Sequence, residues 1–86
     1  LQGELRTWPN PSANFSTISY TVGESGPVEI GLYDIAGKKI REIVNHDADK
    51  GSYSIRLEVS QLCNGLYFCR MKTHAGEKVI KILVGS

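Results

Sequence analysis

The chain has 86 residues and a formal net charge of +1, with acids and bases interspersed along its length. That length holds one domain around a single core, burying roughly 60% or a little more of its unfolded surface, and the near-neutral charge leaves no electrostatic footprint for nucleic acid or an anionic membrane. No apolar run approaches the roughly 20 residues of a membrane-crossing helix, and Leu1 opens the chain with neither a basic segment nor an apolar targeting stretch; with no initiator Met, residues 1–86 read as a single domain cut from a longer polypeptide.

Residues 4–8 alternate weakly and predict a short edge strand carrying Leu5 and Trp8. Pro9-Asn10-Pro11-Ser12 ends it, because two prolines remove two backbone donors and disfavour helix on either side. Phe15 to Val22 is the clearest half-buried strand, with Ile18, Tyr20 and Val22 on one face and Thr17, Ser19 and Thr21 on the other. Gly23 to Pro27 turns the chain into a second alternating run, where Val28, Ile30 and Leu32 interleave with Glu29, Gly31 and Tyr33. Asp34 then stands where a carboxylate accepts the backbone N–H two residues on, and Gly37 where the chain calls for positive φ, so a β-hairpin is predicted. Its second strand, Lys38 to Val44, loses strict alternation at Ile43 and Val44, which places a bulge or a strand end near Glu42.

Residues 45–52 are polar and turn-like, which predicts a surface loop. Tyr53, Ile55 and Leu57 alternate with Ser54, Arg56 and Glu58 in another two-faced strand. Val59 to Asn64 is a connection with Leu62 as its apolar plug and Asn64-Gly65 as a turn pair. Leu66 to Lys72 is a strand, read with Tyr67, Cys69 and Met71 inward and Leu66, Phe68 and Arg70 outward. Thr73 to Gly76 turns back into the last strand, Lys78 to Val84, with Ile80, Ile82 and Val84 on one side and Val79, Lys81 and Leu83 on the other.

Six or seven short strands separated by glycine-containing turns, with no helical period, define the fold class as all-β: an immunoglobulin-like antiparallel β-sandwich. The expected core is Ile18, Tyr20, Val28, Ile30, Leu32, Tyr53, Ile55, Leu57 and Tyr67. The strand 78–84, apolar on both faces, is the edge expected to pair with a partner or to self-associate.

Chemistry finds little purchase. His46 and His74 fall in predicted loops beside charged residues, away from any nucleophile turn. Asn45-x-Asp47-x-Asp49 has the alternating oxygen ligands of a calcium loop, but Lys50 takes the place of the sixth-position Gly and Arg56 that of the bidentate Glu. Cys69 reads as a small buried hydrophobe and Cys63 lies in the preceding turn; a bridge would need their Cα atoms within about 7 Å. No catalytic, cofactor or metal residue is predicted, and the chain is expected not to be an enzyme.

Taken together, Pro9-Asn10-Pro11, Ile18-Ser19-Tyr20, the Val28–Asp34 run with Gly37, Gly51 before Tyr53, Leu62-x-x-Gly65-x-Tyr67 and the closing Lys78-Val79-Ile80-Lys81 resemble the C-terminal sorting domain (type A) of the type IX secretion system. The resemblance covers nearly the whole chain from Trp8 onward, with the immunoglobulin-like domain of flagellar hook-cap proteins as a near neighbour. It implies an immunoglobulin-like sandwich that directs a secreted bacterial protein through the periplasm and across the outer membrane to the cell surface or medium. Its implied partners are proteins of the export machinery and a sortase-like peptidase. Nothing structural requires Lys78 and Lys81 in that strand, so Lys78, Val79, Ile80 and Lys81 are the expected recognition stretch. A structural module of a cell-surface or filament protein is the alternative reading, and a carbohydrate-binding platform drawing on Trp8, Tyr33 and Phe68 is a third.

Overall fold

The computed structural model describes residues 4–9 and 13–85. Alternation of β-branched and aromatic residues with polar ones drives these segments into strands whose apolar sides must meet. Seven strands result: β1 (Leu5–Trp8), β2 (Phe15–Val22), β3 (Gly26–Tyr33), β4 (Lys39–Ala48), β5 (Gly51–Glu58), β6 (Gly65–Thr73) and β7 (Gly76–Val84). They form two antiparallel sheets, ordered β1-β2-β5 and β4-β3-β6-β7. The apolar sides face each other as an immunoglobulin-like β-sandwich.

The centre of the interior is Ile18 from the three-stranded sheet against Ile30, Leu32, Cys69 and Ile82 from the four-stranded one, each fully buried. Tyr67, Cys69 and Met71 point inward as expected. Tyr53 and Ile55, expected in the core, are only half-buried, because β5 is an edge strand with a neighbour on one side alone. Tyr53 stacks on buried Tyr20, centroids 5.3 Å apart, and donates its hydroxyl to the Asp49 carbonyl. Val59 and Ser16 are buried positions that alternation alone did not single out.

The β3–β4 hairpin is closed by Asp34. Its Oδ1 accepts the N–H groups of Ala36 and Lys38, both at 2.9 Å, and its carbonyl accepts that of Gly37. Gly37 has φ 86°, the left-handed region that a Cβ disfavours. The register of β4 against β3 slips twice, passing over Ile43 and Ile40, so the bulge expected near Glu42 is present beside it. The predicted loop over residues 45–52 is corrected: β4 runs on to Ala48 and β5 begins at Gly51, so His46 sits in a strand. Polar residues fit there because the outer strand of a sheet exposes much of its length.

Both long sides of the sandwich are closed. On one, the guanidinium of Arg41 in β4 reaches across to donate to the Glu58 carbonyl at the end of β5, 2.6 Å away. On the other, β1 lies close against β7. At one end, the Lys50 N–H donates to Ser25 Oγ and His74 pairs with Glu24 at 2.7 Å, tying three turns together.

These features predict two grades of damage. Ile30→Ala or Leu32→Ala should lower unfolding free energy by about 2 to 5 kcal/mol through cavity formation. Gly37→Ala should cost only about 1 kcal/mol, since no atom lies within 4 Å of the added Cβ and only the backbone conformation opposes it. Urea unfolding of the three variants checks the ordering.

Candidate recognition surface

The two outer faces of the sandwich differ in chemistry. Outside β2 and β5, Thr17, Ser19 and Thr21 stand opposite Arg56, Ser54 and Ser52, a largely hydroxyl surface. Trp8 and Phe15 lie at one end of it, with the Arg56 guanidinium 3.9 Å from the Phe15 ring centroid. Outside β3, β6 and β7 the register brings together aromatic, aliphatic and basic groups. Tyr33 pairs with Phe68, and Phe68 with Lys81; Gly31 pairs with Arg70, and Arg70 with Val79; Leu66 pairs with Leu83. Tyr33 and Phe68, two of the three aromatics considered for a platform, are thus neighbours, while Trp8 belongs to the other sheet.

Ion pairs order this outer face. Lys39 Nζ bridges Glu29 at 2.9 Å and Glu42 at 2.7 Å, and Arg70 pairs with Glu77 at 2.6 Å across the β6–β7 ladder. Lys39 and Arg70 also flank the Tyr33 ring at about 6 Å. The hydrogen bond from Lys39 holds the Glu29 carboxyl below the usual carboxylate range, and the one from Arg70 does the same for Glu77. Glu42 first, and then Glu29, in turn hold the Lys39 ammonium above its ordinary value.

Within the expected recognition stretch, Val79 and Lys81 project outward and Ile80 half inward. Lys78 shares the inward parity of Ile80, yet it is exposed, being near the start of an edge strand whose partner at that point is Met71. The two lysines therefore present charge from opposite sides of β7. Of the family-motif residues, Asp34 and Gly37 build the β3–β4 turn, Gly51 opens β5, and Gly65 opens β6 at φ 153°. Tyr67 is buried with its hydroxyl donating to the Cys63 carbonyl at 2.8 Å, which fixes the turn before β6. Pro9 follows β1; Asn10 and Pro11 lie outside the described residues. Asp34, Gly37, Gly51 and Gly65 thus stand at turns or strand starts, and Tyr67 in the core.

The adjacency of Leu66 to Leu83 and of Arg70 to Glu77 was not foreseen. The signal available was that β6 and β7 carry apolar residues on both faces, which an outer surface does not need.

An open groove of about 270 Å³ lies at the end of this face between Glu29, Lys72 and His74, just under the roughly 300 Å³ at which small-molecule sites begin. Among the described residues no three His, Cys, Asp or Glu side chains gather as metal ligands. Asn45 and Asp47, two of the oxygens considered for calcium, lie in β4 opposite Glu29 and Pro27, in a ladder and not a loop. Cys63 and Cys69 are both free thiols, and burial pushes the Cys69 thiol up to about 12. No described helix is long and apolar enough to cross a membrane.

Residues 6–85 match the family described as the secretion system C-terminal sorting domain. No curated protein matches the chain.

Titration by NMR should find Glu29 and Glu77 with midpoints below those of ordinary glutamates. Because the folded values are depressed, the favourable pairing is in place above the usual carboxylate range and is lost as pH falls through the lowered values. Lys39→Met should bring Glu29 back toward an ordinary midpoint and leave Glu77 unchanged, whereas Arg70→Met should bring back Glu77 and raise Glu29 only slightly, since Arg70 is the weakest of the causes that lower Glu29.

Proposed function

Because the chain belongs to the secretion system C-terminal sorting domain family, we propose that it is a non-catalytic signal that carries the polypeptide bearing it through the periplasm and across the outer membrane by type IX secretion. The observation that carries this reading is the extent of the match. Residues 6–85 span nearly all of β1 and the whole of β2 to β7, so the shared pattern is that of a complete sandwich and not of a short linear tag. The export machinery would read a folded surface, with Lys78, Val79, Ile80 and Lys81 inside the region it contacts. A sortase-like peptidase acting on the same polypeptide is a further partner the family implies.

The physical division of labour follows from burial. Residues such as Leu32 act by holding the two sheets together, whereas exposed charges on an edge strand add little to stability and are available to a partner. The domain would thus work by display, its core setting the shape and its outer residues setting the specificity.

The test is a soluble reporter with an ordinary periplasmic signal, fused ahead of this domain in a host with type IX machinery. The reporter should reach the cell surface or medium. Leu32→Ala should reduce both the stability of the isolated domain and export, while Lys78→Glu combined with Lys81→Glu should leave melting unchanged and still reduce export. A reporter that stays in the periplasm with its domain folded would instead favour a structural module.

A further inference from the structure

We propose that the free edge of β5 takes up an extended segment of a protein of the export machinery as an added strand; this inference rests on the sorting reading above and names how that partner is held. The first observation is where the main-chain groups of β5 point. In an antiparallel pair the N–H and C=O of one residue point the same way, and successive residues point alternately toward the neighbour and away from it. Val59 donates its N–H to the Asn14 carbonyl, one step past the Phe15–Glu58 pair of the β2–β5 register, so Leu57, Ile55 and Tyr53 turn their main-chain groups toward β2. Ser52, Ser54, Arg56 and Glu58 turn theirs away. Glu58 bears this out, since its carbonyl is the one that Arg41 reaches from the other sheet. The outward main-chain groups of Ser52, Ser54 and Arg56 have no partner among the described residues.

The second observation is that this edge lacks a guard. Sheet edges in folded proteins are blunted by shortness, proline, bulges, inward charges or a cover. β1 is four residues long and followed by Pro9, and β4 is twice bulged. β7 has β1 against it, and Lys81 and Leu83 there have further interactions. β5 shows none of these devices. Its eight residues keep an unbroken register with β2, contain no proline and turn inward only Tyr53, Ile55 and Leu57. Its two charges, Arg56 and Glu58, pair with each other on the outer side at 2.9 Å.

The third observation is what the edge can accept. Unused N–H and C=O groups on every second residue are matched by the main chain of another extended segment. Tyr53 and Ile55 are half-buried for want of a second neighbour, so an added strand sets apolar side chains beside them and covers both. On its other side it meets Ser52, Ser54 and Arg56, which leave room for polar side chains. A hollow of about 260 Å³ between Arg41, Glu58, Ser60 and Gln61 lies past the last free residue and suits a polar side chain where the segment leaves the ladder. The occupant is therefore a stretch opposite Ser52 to Arg56 in which apolar and polar residues alternate. A second copy fits poorly. Pairing β5 with its own counterpart relates the two copies by a twofold axis normal to the sheet, which puts both four-stranded sheets on one side. β4 stands on the β5 side of each copy, bridged by Arg41, and the two β4 strands collide. A lone segment brings no second sheet with it.

The experiment has two arms. Amide exchange on the purified domain should find Ser52, Ser54 and Arg56 exchanging at least about tenfold faster than Tyr53, Ile55 and Leu57; equal protection of the two sets means an edge already closed and overturns the proposal. The reporter fusion then compares Ser54→Pro, which removes one outward N–H where an edge strand tolerates proline, with Ser54→Thr, which keeps it. Export should fall by about tenfold or more for Ser54→Pro at unchanged melting and stay near the unsubstituted level for Ser54→Thr. Should Ser54→Pro lower the melting temperature, Ser52→Pro replaces it, since that N–H faces the same way, and export that falls only in step with melting in both overturns the added strand. Full export of Ser54→Pro, or equal loss with Ser54→Thr, overturns it while leaving the sorting reading intact. Failure of the unsubstituted fusion to be exported removes the sorting reading and this partner with it. Purified domain that dimerises, and loses this with Ser54→Pro, assigns the edge to a second copy and overturns the proposal.

Discussion

The structure depends on the burial of one strand. β3 carries Val28, Ile30 and Leu32 on one side, all within 2% of complete burial, and such a strand is stable only when paired on both flanks and covered from above. Each requirement recruits a different part of the chain. The Asp34 turn brings β4 to one flank, the return from the connection at 59–64 brings β6 to the other, and β2 lays Ile18 over the top. Burying those side chains at about 1.5 to 3 kcal/mol each is a large contribution in a domain whose net stability is of the order of 5 to 15 kcal/mol.

Satisfying β3 leaves β4 and β7 as the edges of its sheet, and the two are treated differently. β4 is charged, twice bulged and bridged to the opposite sheet by Arg41, so its exposure is protected. β7 keeps a regular ladder and shows aliphatic residues outward. The same economy that centres β3 therefore leaves Val79 and Leu83 exposed on the outer face of the final hairpin. Function on this account is a property of the edge that the core cannot use.

Much of this arrangement was legible in the residues. Strict alternation in β2, β3 and β5 identified strands and faces, and Asp34 with Gly37 marked a turn whose hydrogen bonds follow directly from carboxylate reach and missing Cβ. The turn and strand residues together also carried the family resemblance that the match over residues 6–85 established. The continuation of β4 through Asn45, His46 and Asp47 was not legible, because an edge strand can be polar and its two bulges break the period. Nor was the half-exposure of Tyr53 and Ile55, which depends on β5 having no second neighbour. The outer cluster of Tyr33, Phe68, Val79 and Leu83 required the register between three strands, and alternation within each strand holds no information about that.

The central claim is that the export machinery meets the folded domain over a region that includes Lys78, Val79, Ile80 and Lys81. Its most direct test is site-specific photo-crosslinking during export, with the crosslinker placed at Val79 or, in a parallel fusion, at Ser19 on the outer face of the other sheet. The account predicts an adduct to an envelope protein from position 79 and none from position 19. An adduct from position 19 with none from position 79, in a fusion that is still exported, would contradict it.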